Sequence, residues 1–225
     1  MYIITIDGPA SSGKSTVANI VAKKLQIAHI NSGEAYRAIA YFMLKNDISP
    51  DNKEKISEAL RTNSFKMEYI QGKQILSVNG EDITKYLHTN EINSVVSKYG
   101  ANPEIIYASS EMARQIAQNM SVVMDGRNLG SFCFLDAKYK FYVDCDEKER
   151  AIRRFNEMKQ IGTDIDFDSI LKQVIERDRL DKTREVAPLV VPNNAIILDS
   201  TNKTPEQVAE QIVEIVLNNE QKDLY

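Results

Sequence analysis

A stretch near the start of the chain has the composition of a phosphate-binding loop. Residues 8–15 read GPASSGKS and match the pattern G-x-x-x-x-G-K-[S/T], between an apolar segment and an amphipathic one. The glycines let successive backbone N–H groups converge on an anion, and the following helix adds the positive end of its dipole. The sequence therefore predicts a site for the phosphates of a nucleotide, with Lys14 at the β- and γ-phosphates. The alternative is a glycine-rich turn that only connects a strand to a helix.

Two oxygen-bearing side chains predict a metal ion beside these phosphates. The hydroxyl of Ser15 is a ligand that Mg²⁺ accepts when it bridges phosphate oxygens. Asp125 follows the apolar residues 122–124, so we expect it at the carboxyl end of a buried strand, where it would hold the water shell of the ion. The alternative for the segment after residue 124 is a solvated turn closed by glycines.

A second anion site is predicted where the next helical segment begins. Residues 31–37 read NSGEAYR, which makes Ser32 a candidate N-cap and places Arg37 one turn into the helix. Arg127 would project into the same crevice from the segment that begins at Asp125. A capped core helix with an exposed arginine is the alternative.

Three arginines follow the fourth apolar run. Arg150, Arg153 and Arg154 have the three-and-four spacing of one helical face, which a lid gripping ATP phosphates requires. Glutamates close by in the sequence leave open the alternative of ordinary surface ion pairs.

A later charged segment repeats this spacing. Arg177, Asp181 and Arg184 are separated by four and three residues and would share a helical face. Such a stripe can bind an anionic sugar-phosphate, with the carboxylate accepting a ribose hydroxyl and the guanidinium groups meeting phosphate or base. Mixed charges this dense also occur on solvated helix faces.

These side chains require a scaffold of alternating strands and helices. Short apolar runs at residues 2–6, 28–30, 122–124, 140–143 and 195–198 alternate with helical periodicity at 16–25, 35–44, 105–117, 147–160, 170–179 and 205–217. This alternation predicts an α/β fold with a five-stranded parallel sheet flanked by helices. Period-two patterning around Gly72 predicts a β-hairpin in an inserted lobe over about 66–98, packed on the rim of the sheet.

Composition narrows the class of protein. The net charge of −4 and the pI near 5.4 argue against a nucleic-acid-binding surface. Cys133 and Cys145 have neither metal nor disulfide-framework spacing, which favours a reducing compartment. Residues 38–44 are too short to cross a bilayer, and the first residues lack a basic leader. We therefore expect one cytoplasmic domain, without nucleic acid or membrane partners.

The segments GPASSGKST, NSGEAYR, DGRN-x-G, RDRLDKTR and the following APL together resemble the bacterial-type cytidylate kinases over almost the whole chain. The resemblance implies a P-loop kinase fold, a nucleotide-binding lobe that carries the hairpin, and a short arginine-bearing helical lid over about 146–166. It implies transfer of the γ-phosphoryl group of ATP to CMP or dCMP, with Mg²⁺. We expect a monomer that acts on these small molecules.

The resemblance also assigns roles to individual residues. It implies that ATP is bound by Gly8, Pro9, Ala10, Ser11, Ser12, Gly13, Lys14, Ser15 and Thr16. It implies that the acceptor is bound by Ser32, Arg37, Arg127, Arg177, Asp181 and Arg184, with Ser97 beside the cytosine amino group. We expect the charge that spreads over the transferring group to be neutralised by Mg²⁺ together with Lys14, Arg127, Arg150, Arg153 and Arg154.

Two positions depart from the family pattern. Asn128 stands where the family has an aspartate beside the base, and Ile106 stands where a base-contacting arginine would align. Both departures concern base recognition and leave the phosphate-binding residues unchanged. The departures therefore affect the choice between CMP and UMP and do not affect phosphoryl transfer.

Two other functions fit parts of the sequence. A kinase of UMP or of a non-nucleotide metabolite would share the fold. A regulatory switch that hydrolyses a nucleotide would share the loop, and residues 202–204 read NKT, but Pro205 replaces the carboxylate that would read guanine. Since an acceptor phosphate is already ionised, no general base is required, and His29 and His88 are expected to be structural.

Overall fold

A computed structural model describes residues 1–160, 162 and 165–222 of the chain. Within these residues, the strands are β1 (Ile3–Asp7), β2 (Ala28–Asn31), β3 (Phe65–Ile70), β4 (Lys73–Val78), β5 (Glu81–Asp82), β6 (Val122–Gly126), β7 (Tyr139–Asp144) and β8 (Ile196–Asp199). The helices are α1 (Lys14–Leu25), α2 (Gly33–Lys45), α3 (Lys53–Thr62), α4 (Asn90–Tyr99), α5 (Pro103–Ala117), α6 (Glu147–Gln160), α7 (Phe167–Lys182) and α8 (Pro205–Lys222).

The main sheet is parallel and has the strand order β2-β6-β1-β7-β8. This confirms the predicted five-stranded sheet, and every strand begins and ends within two residues of its predicted bounds. In the register, Ile6 lies opposite Asp125 on one side and Phe141 on the other. The carboxyl ends of β1 and β6 therefore meet at one edge, which is where ligands bind in open α/β sheets.

Helices cover both faces of this sheet, because its strands are apolar on both sides. Helices α1 and α8 pack on one face against the side chains of Ile4, Ile6, Val123 and Phe141. Helices α2 and α5 pack on the other face, where Ile30, Val122 and Met124 are fully buried. All six predicted helices are present.

The phosphate loop is shaped by the strand ends around it. A Cβ atom at Gly8 would lie 2.3 Å from the carbonyl oxygen of Val143 in β7, so only glycine fits between the two strands. At the other end of the loop, Gly13 has a φ of 83° directly before α1 begins at Lys14. The loop therefore turns sharply into the N-terminus of α1.

The predicted hairpin is confirmed as β3 and β4, which pair antiparallel from Phe65 opposite Val78 to Ile70 opposite Lys73. The two-residue turn between them, Gln71-Gly72, has positive φ at both positions, as a type I′ turn requires. A second such turn, Asn79-Gly80, leads to β5, which we did not predict. An Asn-Gly pair is a strong hairpin signal, so the sequence contained the information.

The hairpin is joined to the main sheet by polar and apolar contacts. The side-chain amide of Gln74 accepts a hydrogen bond from the N–H of Asn31 and donates one to its carbonyl, both at 2.9 Å. Met67 and Leu76 are buried in the same cluster as Met124. The hairpin thus lies along β2, the edge strand of the main sheet, and its core is continuous with the main core.

Several bounds differ from the predictions. Helix α3 was not predicted, and α8 continues to Lys222 instead of ending near residue 217. Helix α7 ends at Lys182, so Arg184 lies beyond the helix and not on the same helical face as Arg177 and Asp181. Residues 161, 163 and 164 of the predicted lid lie outside the described residues.

Both cysteines, Cys133 and Cys145, are buried and free. Of the helices in the described part of the chain, none combines the length and the apolar content that are needed to cross a membrane.

The continuous core yields a test of the predicted single domain. We expect Leu76→Ala to lower the free energy of unfolding by about 2–5 kcal/mol, because it leaves a cavity in a cluster shared with the main sheet. Chemical denaturation followed by circular dichroism should show one cooperative transition at a lower midpoint. The control, Leu135→Ala, changes a side chain that is 66% exposed and should shift stability by less than about 0.5 kcal/mol. Two separate transitions in Leu76→Ala would contradict one folding unit.

Candidate active site

Lys14 is the charged centre of the phosphate loop. Its side chain is buried, and Nζ donates a 2.9 Å hydrogen bond to the carbonyl of Pro9 within the loop. Burial lowers the pKa of Lys14, and Arg127 lowers it further, whereas Asp125 and Asp181 act in the opposite direction. An anion bound beside Lys14 would therefore stabilise the charged form of this side chain.

A carboxylate that the sequence reading did not single out connects this loop to the segment after β6. Asp7 is fully buried and accepts hydrogen bonds from the N–H groups of Leu129 and Gly130, at 2.8 and 2.7 Å. Burial raises the pKa of Asp7 to about 6, although these hydrogen bonds and Lys14 lower it. Its position directly before Gly8 was the available signal. Asp7 fixes the segment that carries Arg127 and Asn128 beside the phosphate loop.

The predicted metal ligands lie together. The hydroxyl of Ser15 is 2.5 Å from Oδ2 of Asp125, which is 2% exposed, and Nε2 of His29 is 2.7 Å from Oδ1. Among the described residues there is no group of three or more His, Cys, Asp or Glu side chains that could hold a metal. Two oxygen donors beside a phosphate loop fit Mg²⁺, which takes its remaining ligands from phosphates and water.

An arginine cluster lies near Lys14; we define it as Arg127, Arg177, Asp181 and Arg184. Asp181 accepts a 3.0 Å hydrogen bond from Nε of Arg127 and lies 3.2 Å from Nη2 of Arg184. Burial alone would raise the pKa of Asp181, but Arg127, Arg184 and Arg177 hold it below the ordinary value. Arg184 lies beyond α7, and its guanidinium group nevertheless contacts Asp181 because the chain turns back there.

The cluster has more positive charge than its single carboxylate balances. Burial, followed by Arg127, lowers the pKa of Arg177 to about 10. Nε of Arg177 is buried without a hydrogen-bond partner in the described part of the chain. This N–H donor, beside the excess positive charge, is suited to a ligand rich in acceptor oxygens.

The sequence is similar over almost its whole length to proteins of one family. The sequence matches the model of the family described as cytidylate kinase over residues 4–218. A cytidylate kinase of Caldicellulosiruptor bescii is 37% identical over 220 residues, which cover 96% of this chain and 97% of the relative. A cytidylate kinase of Clostridium botulinum strain Okra is 40% identical over 213 residues, covering 95% and 96%. The chain belongs to the cytidylate kinase family.

The solved structures show the fold alone. An uncharacterized protein from Eubacterium ventriosum aligns with a TM-score of 0.51 at 14% identity, covering 96% of this chain and 98% of the other. Membership of the cytidylate kinase family identifies the chain as a kinase, and the parallel sheet with its phosphate loop is the fold of a P-loop kinase.

Ser32 and Arg37 were predicted to form a second anion site. In the structure both are hydrogen-bonded to protein groups that were not predicted as their partners. The hydroxyl of Ser32 donates to the carbonyl of Asp125 at 2.8 Å instead of capping α2. A Cβ at Gly126 would lie 2.5 Å from that hydroxyl, so the close approach requires glycine. Arg37 donates to the carbonyl of Leu87 at 3.1 Å and to Oδ1 of Asn93 at 2.7 Å, which ties α2 to the insert.

One further residue that the sequence reading did not single out lies beside Arg37. Glu34 is buried, 3.9 Å from Arg37 and 3.1 Å from Nε2 of His88. Burial raises the pKa of Glu34, and His88 and Arg37 oppose this shift. His88 and Glu34 thus form a second contact between the insert and α2.

The positions tied to base recognition come from three different segments of the chain. Ser97 is half-buried on α4, and Gly100, just after that helix, accepts a 3.3 Å hydrogen bond from Arg184. Asn128 is buried next to Arg127 in sequence. Ile106 is fully buried in α5, so its role in this chain is to fill the core.

The three predicted lid arginines lie in different environments. Arg150 is 4% exposed, donates to the carbonyls of Cys145 and Ala10, and pairs with Asp178 at 2.6 Å. Arg153 donates to the carbonyls of Ser12 and Ser200, at 3.4 and 2.6 Å. Arg154 is more exposed and pairs with Glu157 on its own helix, which is the ordinary surface ion pair considered as the alternative. Arg150 and Arg153 therefore support the phosphate loop from outside. Contact of any of the three with phosphate stays a prediction.

The pair of Arg150 and Asp178 gives a stability test. Arg150→Met leaves a buried carboxylate without its cation, and we expect a loss of about 3–5 kcal/mol in the free energy of unfolding. The double variant Arg150→Met/Asp178→Leu should recover most of that loss. The control, Arg154→Met, removes an exposed pair and should cost less than about 1 kcal/mol.

Denaturant titrations of the parent protein and the three variants measure these differences. Equal destabilisation of the single and double variants would contradict a buried ion pair. The turnover of the stable double variant then tests the catalytic role predicted for Arg150 without the effect of unfolding.

Proposed function

We propose that this kinase transfers the γ-phosphoryl group of ATP to CMP or dCMP in a Mg²⁺-dependent reaction and yields CDP or dCDP. The observation that carries the proposal is that Asp7 binds the segment after β6 to the phosphate loop. That segment carries Arg127, which is hydrogen-bonded to Asp181 of the arginine cluster, and both act on the charge of Lys14. A donor phosphate and an acceptor phosphate would thus share one crevice.

The donor side uses the loop. Backbone N–H groups of residues 8 and 10–16 would bind the ATP phosphates, and Lys14 would stabilise the charge that spreads over the transferring group. Ser15 and Asp125 would hold Mg²⁺, which when bound neutralises the β- and γ-phosphate oxygens. Arg153 keeps the loop in place through the carbonyl of Ser12.

The acceptor side uses the arginine cluster and the start of α2. The unpartnered Nε of Arg177 and the guanidinium groups of Arg127 and Arg37 suit the phosphate of a nucleoside monophosphate. Asp181, held ionised by its arginines, is suited to accept a hydrogen bond from a ribose hydroxyl. Because the transition state is loose, alignment and charge neutralisation suffice without a general base.

The rival functions differ in what they require of the acceptor site. A nucleotide-hydrolysing switch does not require the partly buried arginines that lie beside this phosphate loop. A kinase of UMP would use the same phosphate contacts, so the distinction depends on the residues near the base. The monomeric state and the cytoplasmic location stay predictions.

An acceptor panel tests the proposed reaction. In a coupled assay of ADP release, CMP and dCMP should give higher kcat/KM than UMP, AMP or GMP, with little hydrolysis when no acceptor is present. Lys14→Ala should lower kcat by at least about 100-fold, or about 2.7 kcal/mol of transition-state stabilisation. Lys23→Ala, an exposed lysine on the same helix, serves as the control and should be unaffected. Rapid hydrolysis without acceptor, or normal turnover in Lys14→Ala, would contradict the proposal.

Asn128 provides a test of base selectivity. An ionised aspartate only accepts hydrogen bonds and favours the cytosine amino group, whereas the Asn128 amide can either donate or accept. We expect Asn128→Asp to raise the ratio of kcat/KM for CMP over UMP by about 10-fold, which corresponds to about 1.4 kcal/mol. Asn46→Asp, on the exposed end of α2, is the matched control. An unchanged ratio would show that Ser97 and Arg184 set the selectivity and that Asn128 only supports its loop.

A further inference from the structure

The carboxylate of Asp125 is held from both sides. Ser15, at the start of α1, contacts Oδ2, and His29, on the neighbouring strand β2, contacts Oδ1. Asp125 is 2% exposed, so water has little access to either oxygen. Each oxygen therefore depends on one protein partner.

The position of His29 follows from the sheet register. Asn31 lies opposite Asp125 on β2, and its side-chain oxygen is already bonded to the N–H of Gly33 at 2.9 Å. His29 lies two residues earlier on the same strand and therefore points to the same face of the sheet. Its longer side chain, 22% exposed, reaches Asp125 with Nε2.

The direction of the Asp125 carboxylate needs such a partner. The torsion between Cβ and Cγ of an aspartate is broad, so hydrogen bonds and not rotamer preference set the plane of the carboxylate. Without His29, Oδ1 is buried and unpaired, and rotation of the group would carry Oδ2 away from Ser15. The contact with His29 thus decides where Oδ2 points.

We infer that His29 is a positioning residue that orients Asp125 for the metal–nucleotide complex. The inference rests on the proposed Mg²⁺-dependent function. His29 contacts neither phosphate nor metal in this assignment and acts only through Asp125, as residues that hydrogen-bond metal ligands do elsewhere.

Metal binding, measured apart from catalysis, tests the role. Mn²⁺ serves as a paramagnetic substitute for Mg²⁺, and the free Mn²⁺ signal is titrated with protein and β,γ-imido-ATP. We expect His29→Leu to weaken Mn²⁺ binding in this complex by about 10-fold. His29→Gln, whose amide N–H replaces Nε2–H, should stay within about 3-fold of the parent. His88→Leu, which removes the other histidine, is the control and should not change Mn²⁺ affinity.

Kinetics give the second readout. The Mg²⁺ concentration for half-maximal transfer should rise in His29→Leu by a similar factor, while the KM for CMP stays constant. If His29→Leu fails to fold, His29→Asn replaces it, because its shorter amide falls short of Asp125.

The outcomes separate this role from the proposed function. Unchanged Mn²⁺ affinity in a folded His29→Leu or His29→Asn overturns the positioning role, even if transfer is normal. A parent protein that adds nothing to the Mn²⁺ affinity of the nucleotide overturns it as well. Weakened Mn²⁺ binding in His29→Leu, in a protein that transfers no phosphoryl group to any nucleotide, supports the role and contradicts the proposed function.

Discussion

Positive charge confined to one edge of the sheet is the constraint on which the site depends. Lys14, Arg127, Arg177 and Arg184 are brought together there, and Arg127 lowers the pKa of both Lys14 and Arg177. Three buried carboxylates offset this repulsion from different sides: Asp7 below the loop, Asp125 beside Ser15 and Asp181 within the arginine cluster. The remaining deficit of negative charge is what the phosphates of the proposed substrates would supply.

The sheet and its helices could be predicted from the sequence because both faces of the sheet are buried. Runs such as residues 2–6 and 122–124 are apolar apart from Thr5, as the strands of a parallel sheet covered by helices are. The phosphate loop could be predicted as well, because its pattern lies within one short segment of the sequence. Helix α3 was missed because its apolar content is low and only Ile56 and Ala59 are buried. Strand β5 has two exposed residues and no pattern of its own.

The partners of the site residues could not be predicted, because they depend on contacts between distant segments. Asp7 bonds to residues more than 120 positions away, and no local pattern reveals that distance. The arginines of α6 were predicted to share one helical face, yet Arg150 is buried against Asp178 of α7 while Arg154 is more exposed and pairs with Glu157 on its own helix. Ile106 was compared with a base-contacting position, but packing places it in the core.

The contact between Gln74 and Asn31 has a consequence for the behaviour of the protein at high concentration. An edge strand with free N–H and carbonyl groups is a template on which a strand of another molecule can add. At β2 the amide of Gln74 occupies both peptide groups of Asn31, so an incoming strand finds these positions taken. The opposite edge, β8, exposes Ile196 and Ile197. Intermolecular strand addition, and with it aggregation during expression or storage, is therefore favoured at β8 and resisted at β2.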